Sequence, residues 1–370
     1  MIEKLFLICN AHLDPVWQWE WEEGAAEALS TFRIAAKFCE EYDGFVFCHN
    51  EALLYQWVEA YEPELFTRIQ KLVKQKKWHI MGGWYLQPDC NMPSGEGFVR
   101  QILTGKKYFL EKFGVSPSTA VNVDPFGHSR GLVQIMKKCG YSGYLFMRPG
   151  DGDRYIKLPA DEFKWIGYDD SEIIAVRIDG SYNSSRGCAA KKVREYLKNS
   201  EKQEMAVCLW GVGNHGGGPS RKDLEDLTDL IREKEKENVL IVHSTPEEYL
   251  AEIEKRKKLF VEFGGDYNSY VGGSIGSHAI EQINNYRCNK AFLGCTGIDL
   301  RDGTISTSLS EDAATKKAIT NISDKLFLVT LNEKFKKNGS FKFSNLFFFS
   351  TALSFGNTTL VNTLFPSLSL

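Results

Sequence analysis

The chain alternates between short apolar runs and longer segments whose apolar residues recur at helical spacing. Leu5-Phe6-Leu7-Ile8 is an unbroken apolar block, so Met1 to Cys9 reads as a buried strand. Gln18 to Tyr42 then carries Ala25, Ala28, Leu29, Phe32, Ala35, Ala36 and Cys39 on one helical face. Further strands are expected at Phe45–Cys48, Trp78–Met81, Thr119–Val123, Gly143–Met147, Ala206–Trp210 and Val239–Val242. Helices are expected between them, at Leu53–Tyr61, Pro63–Lys77, Gly97–Phe113, Leu132–Cys139, Lys222–Lys236 and Pro246–Lys258. Phe163–Trp165 and Ile173–Arg177 read as a hairpin pair. Strand–helix alternation implies an α/β fold with a parallel sheet and right-handed crossovers. About seven such units in roughly 260 residues suit a closed barrel or an open sheet equally.

The pattern changes near Gly294. Asp299 to Lys334 reads as helical, whereas Phe343 to Leu370 contains no charged residue and is rich in Phe, Leu, Ser, Thr and Asn. Its amide and hydroxyl side chains make it a poor membrane span. The chain therefore divides into a domain over residues 1–293 and an atypical segment over 294–370.

Composition narrows the picture. With 43% hydrophobic and 13% aromatic residues, the 370-residue chain can bury a large core. A net charge of -3 gives no electrostatic case for nucleic acid or an anionic membrane as partner. Nine cysteines without a CxxC spacing suit reduced thiols, and Met1 leads into a strand without a leader-like segment, so a cytoplasmic protein is expected. Assembly into a homo-oligomer stays open.

Polar residues cluster just after the expected strands: His12 and Asp14, Asp89, Asp124 and His128, Arg148, and Asn214 and His215. In a parallel sheet all strand C-termini lie on one face, so residues far apart in sequence can meet there. His12 and Asp14, two apart in extended chain, point to one side. With Asp124 they form a nitrogen–oxygen set suited to zinc or another divalent ion. Taken singly, Asp14 and Asp124 read as helix caps and His12 as a core histidine; the set favours a site.

His12-Leu13-Asp14-Pro15-Val16-Trp17, Asp124-Pro125-Phe126-Gly127-His128-Ser129 and Gly213-Asn214-His215-Gly216-Gly217-Gly218-Pro219 resemble the signature segments of glycoside hydrolase family 38, the class II α-mannosidases. Gly82-Gly83-Trp84, Pro88-Asp89, Pro93-Ser94-Gly95-Glu96 and Phe146-Met147-Arg148-Pro149-Gly150 resemble its bacterial and cytosolic branch. The resemblance runs to about Arg287. It implies a (β/α)7-barrel-like domain with one zinc ion on His12, Asp14 and Asp124, acting on α-mannosides or mannose-containing oligosaccharides. It also implies a retaining mechanism with Asp124 as nucleophile, Trp17 as an apolar platform under the sugar, and Asp89 and Arg148 contacting hydroxyls.

Two departures accompany it. The family commonly has an acidic general acid/base where this chain has Asn214, which cannot donate and recover a proton. His215, or Asp151, Asp153 or Asp266, would then take that role. Family members also continue through a helical bundle whose histidine completes the zinc shell, whereas the last histidine here is His278. A truncated helical region or a frame-shifted reading is therefore expected from about Gly294. A metal-dependent carbohydrate deacetylase and a non-catalytic sugar-binding remnant are the alternative readings.

Overall fold

The computed structural model describes residues 2–148, 161–199, 204–213, 215–256, 260–262, 266–268 and 273–355. It divides into two compact units, Met1–Glu262 and Phe263–Leu370. The first unit opens with β1 (Lys4–Cys9), α1 (Trp21–Glu41), β2 (Phe47–His49), α2 (Ala52–Tyr61), α3 (Pro63–Lys74), β3 (Trp78–Ile80) and α4 (Gly95–Phe113). Next come β4 (Thr119–Asn122), α5 (Gly131–Lys138), β5 (Gly143–Phe146), β6 (Glu162–Ile166), β7 (Glu172–Arg177) and α6 (Ala189–Asn199). It closes with β8 (Met205–Trp210), α7 (Arg221–Glu235), β9 (Leu240–His243), α8 (Pro246–Arg256) and β10 (Phe260–Glu262). Every strand and helix expected in this region is present; α6 and β10 are additional.

The strands lie in two five-stranded sheets. One runs β3-β2-β1-β8 with β9 also on β1; the other runs β10-β6-β7-β5-β4. All pairs are parallel except the β6–β7 hairpin. β1 pairs with β8 along all six residues, and its other edge is shared by β9 below and β2 at Cys9. Side chains alternate accordingly. Phe6 and Ile8 of β1 join Cys48, Val121, Leu145, Val176, Val207 and Leu209 in one cluster drawn from both sheets, which is the barrel-like interior. Leu5, Leu7 and Cys9 face the other way, onto the surrounding helices. β1 is buried on both sides, which is why it reads as a continuous apolar run.

Helix ends follow local chemistry. The Ser94 hydroxyl accepts from the Gly97 N–H at α4, and Ser220 and Asp223 form a capping box at α7. Gly24, in the first turn of α1, meets a tertiary demand. A Cβ there would lie 2.1 Å from the Pro15 carbonyl oxygen, so the loop after β1 can rest on α1 only where the side chain is absent.

The second unit corrects the expectation of a truncated helical region. Its strands are β11 (Asp266–Asn268), β12 (Gly273–Ile275), β13 (Ala291–Leu293), β14 (Gly297–Ile298), β15 (Thr304–Thr307), β16 (Leu326–Leu331), β17 (Phe341–Asn345) and β18 (Phe349–Phe355). Within Asp299 to Lys334 the only α-helix is α10 (Ser310–Asn321), which packs against α9 (Ser277–Ile283). β16 lies between β13 and β18 in a parallel sheet, and β15 lies between β14 and β17 in an antiparallel one. Leu293, Ile298, Ile305, Ala313, Leu328 and Phe343 form their own core. Pairing between distant segments, including the uncharged Phe349–Phe355, outweighs the local helical pattern. The compact division at Glu262 also falls upstream of residue 293, because α9 belongs with α10.

Gly24→Ala tests the loop contact. Helix propensity alone favours alanine by about 1 kcal/mol, but overpacking against backbone typically costs about 1–3 kcal/mol. Urea unfolding should show a net loss of stability; a gain would mean that the Pro15 contact yields freely.

Candidate active site

The chain after β1 continues its alternation, so Asn10, His12 and Asp14 follow Phe6 and Ile8 toward the interior side. His12 is 6% exposed. Its Nε2 lies 3.4 Å from Asp14 Oδ1, an ion-pair distance without the alignment of a proper hydrogen bond. The Tyr182 ring packs edge-on against it at 4.9 Å. Trp19 Nε1–H donates to the Asp14 carbonyl at 3.0 Å, tying the far side of the loop. Asp124 follows β4, and the Arg148 guanidinium, two residues beyond β5, rests against Asp124 Oδ1. Arg148 is thus the ion partner of Asp124. Trp17 is 65% exposed, which excludes a core role and leaves its ring at the rim.

His128 braces this pair. Its Nε2–H donates to the Arg148 carbonyl at 2.6 Å, leaving Nδ1 to accept from the Tyr144 hydroxyl at 3.2 Å. Burial pushes its pKa down to about 4, against the pull of the Arg148 carbonyl, so the ring stays neutral. Asp89 forms a local turn, its Oδ1 accepting from the Asn91 N–H at 3.0 Å. His215 pairs in backbone with Leu13, stacks on Trp19 at 4.1 Å, and lies 2.8 Å by Nε2 from Glu23 Oε1 of α1. Its ring is engaged by α1 and Trp19, not by Asp124. Asn214, Asp151 and Asp153 lie outside the described residues, as does the side chain of Asp266.

Two residues that bind the cluster together escape sequence reasoning. The Gln87 side chain reaches His12 Nδ1 at 3.1 Å and accepts from the Val123 N–H at 2.9 Å. It joins the end of β1 to the residue before Asp124. Being uncharged and mid-loop, it gives no sequence signal. Glu51, 1% exposed, accepts from the Gln87 N–H at 3.2 Å, while its Oε2 has no hydrogen-bond partner. It sits at φ 70°, a left-handed conformation a non-glycine residue seldom adopts. Its position just past β2 follows the same strand-end rule that marks His12. Burial raises its pKa to about 7, partly offset by His12.

Among the described residues no three His, Cys, Asp or Glu side chains are gathered closely enough to enclose a metal ion. The donor types nevertheless fit one. His12 Nε2 is buried without a hydrogen-bond partner, beside the Asp14 carboxylate, while Asp124 Oδ1 faces the Arg148 guanidinium. Burial opposes a charge on His12, but Asp14, Glu51 and Asp124 together lift its pKa above the usual value. At Nδ1 a second proton would meet the Gln87 NH2.

Residues 3–273 match the Glycosyl hydrolases family 38 N-terminal domain, and residues 229–351 match the DeoR C terminal sensor domain. Alpha-mannosidase G of Dictyostelium discoideum is 27% identical over 289 residues, which cover 77% of this chain and 26% of that protein. Alpha-mannosidase 2C1 of Homo sapiens is 27% identical over 284 residues, covering 76% and 27%. The chain thus spans about a quarter of the length of these relatives. Among solved structures, an alpha-mannosidase from Enterococcus faecalis V583 aligns with a TM-score of 0.59 at 19% identity, over 70% of this chain and 30% of that one. A protein assigned as a polysaccharide deacetylase from Mycobacterium smegmatis aligns with a TM-score of 0.51 at 11% identity, over 71% and 94%. Both structural likenesses speak for the fold alone.

Glu51 has a thermodynamic signature. Its carboxyl ionises near 4.5 when exposed but near 7 in the fold, so ionising it erodes stability as pH rises through that window and costs nothing below it. Glu51→Gln lacks this penalty. In urea titrations with chelator, the variant should gain roughly 1–3 kcal/mol relative to wild type between pH 4.5 and 7.5. A pH-independent difference would show that Glu51 is not held protonated.

Proposed function

This chain belongs to glycosyl hydrolase family 38, and we propose that its first unit hydrolyses α-mannosides with retention, using Asp124 as the nucleophile. One observation carries the proposal. Asp124 stands at the end of β4 against the Arg148 guanidinium, and Gln87 ties the adjoining Val123 to His12 beside Asp14. In this reading the Asp124 carboxylate, beside the Arg148 guanidinium, attacks the anomeric carbon. The glycosidic bond breaks as the Asp124 ester forms, and water then cleaves the ester. In this reading Arg148 and Asp89 would contact sugar hydroxyls, and the exposed Trp17 ring would offer the sugar an apolar face. A divalent ion, zinc by the nitrogen–oxygen donor set, would be held by His12, Asp14 and Asp124 and would bind ring hydroxyls and stabilise developing charge.

Asn214 at the family's acid/base position shapes the substrate range. Without a carboxylic acid there, leaving groups that depart unprotonated are favoured, so acidic phenols are better substrates than alkyl alcohols. The same feature favours a second reading, a sugar-binding domain without turnover. Nine free thiols, five of them buried, support a cytoplasmic setting. Among the described residues no helix is long and apolar enough to cross a membrane.

The test is release of phenol from aryl α-mannosides, with the anomer of the first-formed mannose read by NMR. Asp124→Ala should lower the rate at least ~1,000-fold, and chelator should suppress it reversibly. Sugar binding without release would establish the second reading. Release of the inverted anomer, or a rate unchanged in Asp124→Ala, would remove Asp124 as nucleophile.

A further inference from the structure

We propose that Gln87 is a positioning residue that sets which nitrogen of His12 carries the hydrogen, and through it how tightly the site holds a divalent ion. The inference deepens the metal part of the function proposed above and rests on it.

The argument starts from the backbone. The Val123 N–H can only donate, so the Gln87 atom 2.9 Å from it is the amide oxygen. The other end of the amide is then NH2, a donor with no lone pair to offer. It lies 3.1 Å from His12 Nδ1, which must accept. A neutral imidazole has one ring hydrogen, and with Nδ1 accepting it sits on Nε2, on the side of Asp14.

That tautomer is the wrong one for ligation. Nδ1 is covered by the amide, and Nε2, the buried nitrogen without a hydrogen-bond partner, bears its hydrogen where a metal needs a lone pair. Moving the hydrogen to Nδ1 sets N–H against NH2 unless the amide turns over. Turning it sets NH2 against the Val123 N–H instead. Either way one buried hydrogen bond is lost. The main chain at Gln87 is fixed by its N–H, which donates to Glu51 Oε1 at 3.2 Å, and swinging the side chain away would give up the Val123 and His12 contacts together. Gln87 therefore opposes the ion while holding the site together.

A carboxylate of the same shape removes the conflict. In Gln87→Glu one oxygen keeps the Val123 N–H and the other accepts from Nδ1–H, leaving the Nε2 lone pair toward Asp14. Partners of this kind behind a metal-bound histidine are worth about 10–100-fold in affinity.

Two measurements on the full chain test this. Ring 15N shifts of chelator-treated protein at neutral pH, with His12 assigned by comparison with His12→Asn, should show hydrogen on Nε2 in wild type and on Nδ1 in Gln87→Glu. Zinc affinity, read by competition with a chromogenic chelator, should be about 10–100-fold tighter in Gln87→Glu. Hydrogen on Nδ1 in wild type would overturn the proposal even if the variant fails to fold, as would equal or weaker zinc binding by a folded variant. Absence of zinc binding in both proteins would instead overturn the metal reading, with the ring shifts still deciding the tautomer.

Discussion

Strand β1 is hydrogen-bonded on both edges and buried on both faces, and the site inherits its placement from that fact. Pairing with β8 along all six residues fixes its height in the barrel-like sheet. Alternation then decides which residues beyond its end look inward. A one-residue slip would turn His12 and Asp14 toward the helices and bring Leu13 into the site. Because Leu5 and Leu7 need the helices as much as Phe6 and Ile8 need the interior, hydrophobic burial prevents the slip. The geometry of His12 and Asp14 is thus held by apolar packing well below it.

At the top of the sheet the balance reverses, and polar groups are buried at a cost. Glu51 is held in a left-handed conformation with one oxygen unpartnered, and His12 Nε2 is likewise without a hydrogen bond. Each is expensive in a low-dielectric setting. Gln87 joins these residues, with its N–H on Glu51 and its side chain on His12 and Val123. Elsewhere the same unit satisfies its helix ends with ordinary caps at Ser94 and Ser220.

The second unit has a different origin of order. Its α10 carries only a weakly amphipathic pattern, and its strands are short segments joined across long sequence separations. The match to the DeoR C terminal sensor domain, over residues 229–351, overlaps the family 38 match, which runs to residue 273.

Much of this was legible in the residues alone. Apolar runs and helical spacing identify the strands and helices of the first unit because each element buries a face whose period is local. The motifs at strand ends identify the family because its chemistry needs those residue types in that order. Helical spacing misleads over Asp299 to Lys334, where partners far along the chain convert local pattern into strand. Gln87 and Glu51 were beyond reach for a related reason. An amide and a carboxyl have many uses, and only the approach of β1, β2 and β4 selects one. The sequence by itself determined the barrel's elements and the family. The tertiary structure alone decided that Arg148 meets Asp124, that His215 turns to Glu23, and that an amide stands behind His12. Those contacts join residues dozens to hundreds of positions apart, and no local pattern records them.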